Sequence, residues 1–312
     1  MKIVFFGSPA AALPSLRKLL EGDHSIELII TQPDKPAGRG QRMTPSAVKV
    51  FALDHGIPVL EPVRIRTDAS VLPRIQEVRP DVQVIVAYGQ IIQGPIIYLP
   101  RHHSLNVHFS LLPKYRGAAP VQWAVLNGEA ETGVTIIELN EKMDEGDILA
   151  QVRTPVGPRE TACELETRLA VMGADLLIGV LNRIDALRPL PQDHGRASLA
   201  PKIRKEDGRI DWSEVSAVVD RKVRALSERP GTYTFFRGRR LQVHSGRDLD
   251  LSRAGRKPGE IVSSGRDGLK IVCGQGTIYL AEVLQFEGKS RMSAFAFSNG
   301  ANIKMGEVLS LE

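Results

Sequence analysis

Residues 81–89 read D-V-Q-V-I-V-A-Y-G, introduced by Pro80 and closed by Gly89. A strand with one wet face alternates apolar and polar residues. A nearly continuous β-branched run like this one predicts a strand covered on both sides. Working outward, residues 2–6, 26–31, 104–109 and 134–139 carry the same signal. Helical spacing lies between them: Leu13, Leu16, Leu19 and Leu20 in one segment, then residues 47–55, stopped by Gly56 and Pro58. Strands alternating with helices predict an α/β fold, a Rossmann-like, mostly parallel sheet. Ligands of such sheets bind beyond the carboxyl ends of the strands. That rule singles out residues 32–45 (QPDKPAGRGQRMTP) and 110–120 (SLLPKYRGAAP), the connections that follow two of these strands.

Farther along, residues 161–181 form one long helical pattern, with Leu165, Leu169, Met172, Leu176, Leu177 and Val180 in register. Residues 190–206 are rich in Pro, Gly and charge, which is linker chemistry. A helix is expected over residues 213–226. Short β runs at 233–236, 241–244, 259–262, 269–272 and 277–284, separated by Gly and basic turns, predict a small antiparallel barrel. The expected organisation is a first domain over 1–189, a linker over 190–206 and a barrel over 207–312.

Composition narrows the class. The chain has 312 residues, 42% hydrophobic and 25% charged, enough for two packed domains without disulfides. Its two cysteines, Cys163 and Cys273, are far apart, which argues against a disulfide framework or thiolate zinc site and suits a reducing compartment. The opening apolar run ends at Gly7, too early for a signal peptide, and no stretch approaches the ~18 apolar residues of a membrane span. A cytoplasmic protein is expected. From Pro201 onward there are 20 Lys and Arg against 14 Asp and Glu, leaving 21 against 22 before it. The basic excess therefore sits in the C-terminal third, and nucleic acid leads the candidate partners, with a merely solvated basic surface as the alternative.

Several familiar chemistries drop out. The turn after the first strand, G-S-P-A-A-A, lacks the second and third glycines of a dinucleotide fingerprint. There is no nucleophile elbow, no phosphate loop and no H-E-x-x-H, and no metal is expected. Asn106 and His108, two apart on a strand, project to the same side. Asp144 follows another predicted strand in the turn EKMDEGD, where Gly146 permits a sharp bend. An amide donor, an imidazole and a carboxylate can together manage attack on a carbonyl: Asn106 on the oxyanion, His108 and Asp144 on charge and proton. N-x-H is also common in residues with no such task, so spacing alone leaves the matter open.

The run over residues 106–151, NVHFSLLPKYRGAAPVQWAVLNGEAETGVTIIELNEKMDEGDILAQ, resembles the signature segment of the methionyl-tRNA formyltransferase family. TQPDKPAGRG (31–40) is similar to that family's tRNA-contacting loop, DVQVIVAYGQII to its folate-pocket strand, and KIRKEDGRIDW (202–212) to the start of its C-terminal domain. The resemblance implies the formyltransferase fold followed by an OB-like barrel that binds tRNA. It implies 10-formyltetrahydrofolate as donor, the amino group of methionyl-initiator tRNA as acceptor, and a monomer. Asn106, His108 and Asp144 match its catalytic positions. Ser110, Leu111, Leu112 and Pro113 match its folate-binding SLLP, with Val86, Tyr88 and Gly89 at the pterin pocket. Lys35, Arg39 and Arg42 fall in its basic loop. The chain departs from the family at Ala10-Ala11, at Leu199 and over 227–231 (SERPG). Two other readings stay in view: a different folate-dependent formyl reaction, such as donor hydrolysis or formylation of a sugar-nucleotide amine, and a non-catalytic tRNA-binding protein.

Overall fold

The computed structural model describes residues 1–312 apart from Gly38, Arg39, Gln41, Ala254 and Glu312, and apart from the side chain of Ala37. Its contacts divide it into two units. One comprises Met1–Pro120, Glu131–Pro155 and Glu164–Pro201; the other comprises Val121–Ala130, Val156–Cys163 and Lys202–Glu312.

In the first unit the elements are β1 (Lys2–Gly7), α1 (Leu13–Glu21), β2 (Ser25–Ile30), β3 (Lys35–Ala37), β4 (Arg42–Thr44), α2 (Ala47–Asp54), β5 (Val59–Leu60), α3 (Val71–Val78), β6 (Val82–Val86), α4 (Gly94–Ile97) and β7 (Ser104–His108). After α5 (Pro120–Leu126) come β8 (Glu131–Glu138), β9 (Ile148–Pro155) and α6 (Ala162–Leu181). Seven strands form one sheet in the order β5-β2-β1-β6-β7-β8-β9. The first five run parallel, whereas β8 and β9 are each antiparallel to the preceding strand. Chain order reverses between β1 and β6, whose carboxyl ends meet at the Gly7–Val86 pair. This is the switch point at which open sheets of this type take ligands.

The continuous apolar reading of β6 is matched by burial of all five of its residues. Below one face lie Val4, Phe6, Ile30, Ile85 and Tyr88 packed with Val71, Ile75 and Ile96. On β7 the two-residue period divides the labour. Val107 and Phe109 meet α6, where Gly173 lets the helix come close: a β-carbon there would stand 2.8 Å from Val107 Cγ1. Asn106 and His108 point to the other side of the sheet. The edge strand β9 (ILAQVRTP) has no fully buried residue: its first three are half-buried and the rest alternate exposed and half-buried, so its apolar signal is weak. Residues 32–45, expected as a structureless loop, contain the short β3–β4 hairpin.

The second unit carries α7 (Ser216–Leu226), β10 (Thr232–Phe236), β11 (Arg239–Ser252), β12 (Ile261–Gly265), β13 (Gly268–Val272), β14 (Thr277–Phe286), β15 (Met292–Ser293) and α8 (Ala294–Ala301). The antiparallel order β10-β11-β14-β13-β12 leaves two edges, and the C-terminal segment joins them. Ser310 bridges to Phe235 of β10, and Val308 bridges to Glu260 just ahead of β12. Closure of this kind satisfies edge N–H and C=O groups that would otherwise template foreign strands. Inside are Trp212, Val223, Phe236, Ile271, Tyr279 and Phe297. The indole of Trp212 donates to Thr234 Oγ1 at 3.0 Å, giving its one polar atom a buried partner. The small barrel expected for this region is what forms. Its closing segment and α8 carried no signal strong enough to be anticipated.

Candidate active site

Strand β7 ends with Asn106 and His108 beside β8, where Asn106 pairs with Ile137 and His108 with Thr135. The chain then turns after β8 through residues 139–147. Glycine is required at 146, because a β-carbon would fall 1.8 Å from Glu138 O. That tight turn returns Asp144 to the end of β7. Asp144 adopts φ +54°, a left-handed conformation uncommon for residues with a side chain.

The three groups come together. Asn106 Nδ2 donates to Asp144 Oδ1 at 3.4 Å, and His108 Nδ1 lies 3.7 Å from Asp144 Oδ2. The backbone N–H of Gly117 donates to the same Oδ2 at 2.8 Å. His108 is only 6% exposed, and its Nε2 lies 2.9 Å from the carbonyl of Tyr115. A carbonyl can only accept, so Nε2 carries a proton, and the other ring nitrogen, Nδ1, faces Asp144. One N–H of Asn106 is engaged by Asp144, which leaves the other to donate elsewhere.

The SLLP segment is fixed by neighbouring strands. Thr135 Oγ1 donates to Ser110 O at 2.7 Å and accepts from Leu112 N at 3.1 Å. Gln151 Nε2 donates to Leu112 O at 2.8 Å. The hydroxyl of buried Ser110 donates to Lys114 O, so Ser110 holds the loop's shape. At the end of β6, Val86 and the Tyr88 ring are buried, the ring edge-on to Phe6 at 5.5 Å. Burial pushes the Tyr88 phenol well above its ordinary range, and its hydroxyl has no protein partner among the described residues. Ala87 and Gly89 between and beside them are exposed with positive φ. What this edge offers to a ligand is therefore backbone.

Lys35 and Arg42 stand exposed on the β3–β4 hairpin, and Arg39 lies outside the described residues. The base of the hairpin is anchored. Ser46 caps α2 by accepting from Lys49 N and is 2.7 Å from Thr31 Oγ1, while Gln32 Nε2 donates to Tyr88 O at 2.6 Å. Lys35 Nζ donates to Gln32 Oε1. The basic hairpin thus follows the carboxyl end of β2, and Asn106, His108 and Asp144 meet at the carboxyl end of β7 in the same sheet.

Sequence reading did not single out Arg116 or Gln192, although both are buried next to Asp144. Arg116 had one available signal, its place in the loop after a site strand. Gln192 had none: it lies in a stretch expected to be linker, yet residues 190–200 belong to the first unit and bridge within it through Leu190–Ile148 and Leu199–Arg116.

A doubly wound sheet with an amide, an imidazole and a carboxylate at its carboxyl edge suits acyl transfer to a nucleophile. Residues 1–181 match the family described as "Formyl transferase", and residues 202–302 match "Formyl transferase, C-terminal domain". The chain is 42% identical to the methionyl-tRNA formyltransferase of Citrifermentans bemidjiense, over 99% of this chain and 96% of that one. It is 41% identical to the methionyl-tRNA formyltransferase of a Synechococcus strain, over 98% and 97%. Among solved structures it is similar to the N-formyltransferase of Helicobacter canadensis in complex with folinic acid and dTDP-3-aminofucose. That likeness has TM-score 0.68 and 19% identity, covering 90% of this chain and 98% of the other. The chain belongs to the methionyl-tRNA formyltransferase family. No helix among the described residues is long and apolar enough to cross a membrane.

Proposed function

We propose that this protein transfers the formyl group of 10-formyltetrahydrofolate to the free amino group of methionyl-initiator tRNA. The observation that carries the reading is the convergence of Asn106, His108 and Asp144, drawn from the end of β7 and the turn after β8, at the edge where this fold takes ligands.

The chemistry follows from the geometry. The neutral amine attacks the formyl carbon, forming the new C–N bond and placing charge on the formyl oxygen. The free N–H of Asn106 donates to that oxygen. The amine nitrogen becomes cationic on attack, and His108 Nδ1 takes its proton, with the Asp144 carboxylate stabilising the imidazolium. Breaking the bond between the formyl carbon and the folate nitrogen then releases tetrahydrofolate, whose nitrogen receives the proton back. No net acid or base is consumed. Ser110, Leu111, Leu112 and Pro113 supply a wall held rigid by Thr135 and Gln151. Val86 and Tyr88 are the buried floor of the pterin pocket, and Gly89 with Ala87 offers the exposed backbone beside it.

The donor is a substrate here, and no metal enters these steps. Lys35, Arg39 and Arg42 form the contact with the acceptor arm, and the basic barrel over 207–312 holds the tRNA body, with residues 1–189 as the catalytic domain. A cytoplasmic monomer fits this role. A sugar-nucleotide acceptor would leave the basic third of the chain without a partner, and a non-catalytic tRNA binder would leave the catalytic group without a task.

The direct test is incubation with 10-formyltetrahydrofolate and either initiator or elongator methionyl-tRNA. Formylmethionyl-tRNA is expected from the initiator species. Absence of product with a chargeable, intact tRNA refutes the proposal.

A further inference from the structure

Asp144 occupies a left-handed backbone conformation at the tip of a turn, φ +54°, so something must keep its carboxylate trained on His108. The carboxamide of Gln192 stands in the right place. Its Nε2 donates to Asp144 O at 2.8 Å and to Gly146 O at 2.7 Å, spanning the turn. Its Oε1 accepts from Arg116 Nε at 3.1 Å and Nη2 at 2.7 Å. Gln192 and Arg116 are each 5% exposed, and all polar atoms of that carboxamide are engaged. A carboxamide is the side chain that offers two donors on one atom and an acceptor on the next. Arginine, with a fixed planar fork and no acceptor, determines which end of it faces the turn.

Arg116 is held in turn. Its backbone N donates to Ser198 O at 2.9 Å and its carbonyl accepts from Ala200 N at 2.7 Å. Its guanidinium also meets His194 Nδ1 at 3.1 Å and Glu145 at 3.4 Å. The residues on either side of it, Tyr115 and Gly117, present the carbonyl that binds His108 Nε2 and the N–H that binds Asp144 Oδ2. Ser198 Oγ accepts from Tyr115 N at 3.0 Å. The strap over residues 192–200 therefore grips both halves of the His108–Asp144 pair.

We propose that Gln192, oriented by Arg116, is a positioning residue for formyl transfer: it holds the 144–146 turn so that Asp144 meets His108. The inference rests on the reading of Asp144 as a catalytic group.

The experiment compares formyl-transfer kinetics of the full chain with those of Gln192→Met and Gln192→Glu, each also in an Asp144→Asn background. Methionine removes the donors without adding charge. Glutamate keeps an acceptor for Arg116, as a carboxylate, and replaces the donors with an oxygen that the two carbonyls repel, so it carries the test if the methionine variant does not fold. Each substitution alone is expected to lower kcat about 10–100-fold, the scale of an ångström-level misplacement. KM for folate and for tRNA should move less than about threefold, since Gln192 is buried behind the turn that it holds. In the Asp144→Asn background the same substitution should change kcat by less than about twofold, because two residues acting through one function do not add.

Wild-type kcat in the folded Gln192 variants would overturn the inference. So would an equal loss in both backgrounds, which is what a merely structural role produces. If Asp144→Asn alone turned over normally, the catalytic reading of Asp144 would fall first and the positioning role with it.

Discussion

Gly173→Ala tests how closely the packing beneath β7 is tied to its chemistry. An added methyl at 173 would lie 2.8 Å from Val107 Cγ1, 3.3 Å from Val134 Cγ1 and 3.5 Å from Phe109 Cε1. Apolar carbons sit at about 3.5–4.0 Å, so strand and helix must separate by roughly 0.7–1.2 Å at that point. Valine has little rotameric freedom with which to evade the clash. Overpacking of this size costs about 1–3 kcal/mol, and alanine's better helix propensity offsets roughly 1 kcal/mol of it. A net loss of about 0–2 kcal/mol is expected in urea unfolding of the full chain. The effect on turnover should be larger in proportion. Val107 sits between Asn106 and His108, and catalytic geometry tolerates only about 0.5 Å of error. A displacement near 1 Å lowers kcat by up to about 100-fold.

Gly179→Ala is the internal control. It lies on the same helix with nothing within 4 Å of the added methyl, so it should gain up to about 1 kcal/mol of stability from helix propensity and leave kcat alone. Unchanged kcat in Gly173→Ala would refute the argument, because it would show that the helix yields while the strand stays in place.

Three further outcomes follow from the same geometry. Asn106→Ala should raise the barrier by about 2–4 kcal/mol, the range for loss of an oxyanion donor, and kcat within a few-fold of wild type would remove Asn106 from that role. Arg42→Ala should weaken tRNA binding and reduce the slope of log K against log salt by about one if it neutralises one phosphate; an identical slope would mean that no phosphate is met. His244 is held below its ordinary value of 6.5, mainly by burial, while its Nε2 lies 2.8 Å from Gln285 Oε1. The unfolded chain then binds this proton more readily, so the stability contributed by neutral His244 is complete above pH 6.5 and is lost as pH falls towards the depressed native value. His244→Gln should therefore flatten the change in urea midpoint between pH 5 and pH 7.5, and an unaltered dependence would assign it to other groups.

Much of the scaffold is a local matter. The apolar run at 82–86 had to be buried on both faces wherever it lay, and the two-residue period of β7 put Asn106 and His108 on one side whatever their surroundings. The basic excess after Pro201 is likewise a property of composition. Long-range pairing decided the rest. Strand β9 was illegible because an edge strand buries too little to show an apolar pattern. The β3–β4 hairpin was hidden by three prolines and two glycines that read equally well as loop. Asp144 joins Asn106 across 38 positions only because the turn after β8 is tight, and Gln192 reaches its partners across 46 and 48 more. A polar side chain carries no periodicity that names its partner. Its meaning depends on which carbonyls and cations the folded chain brings within 3 Å, and that is settled by sheet order and register.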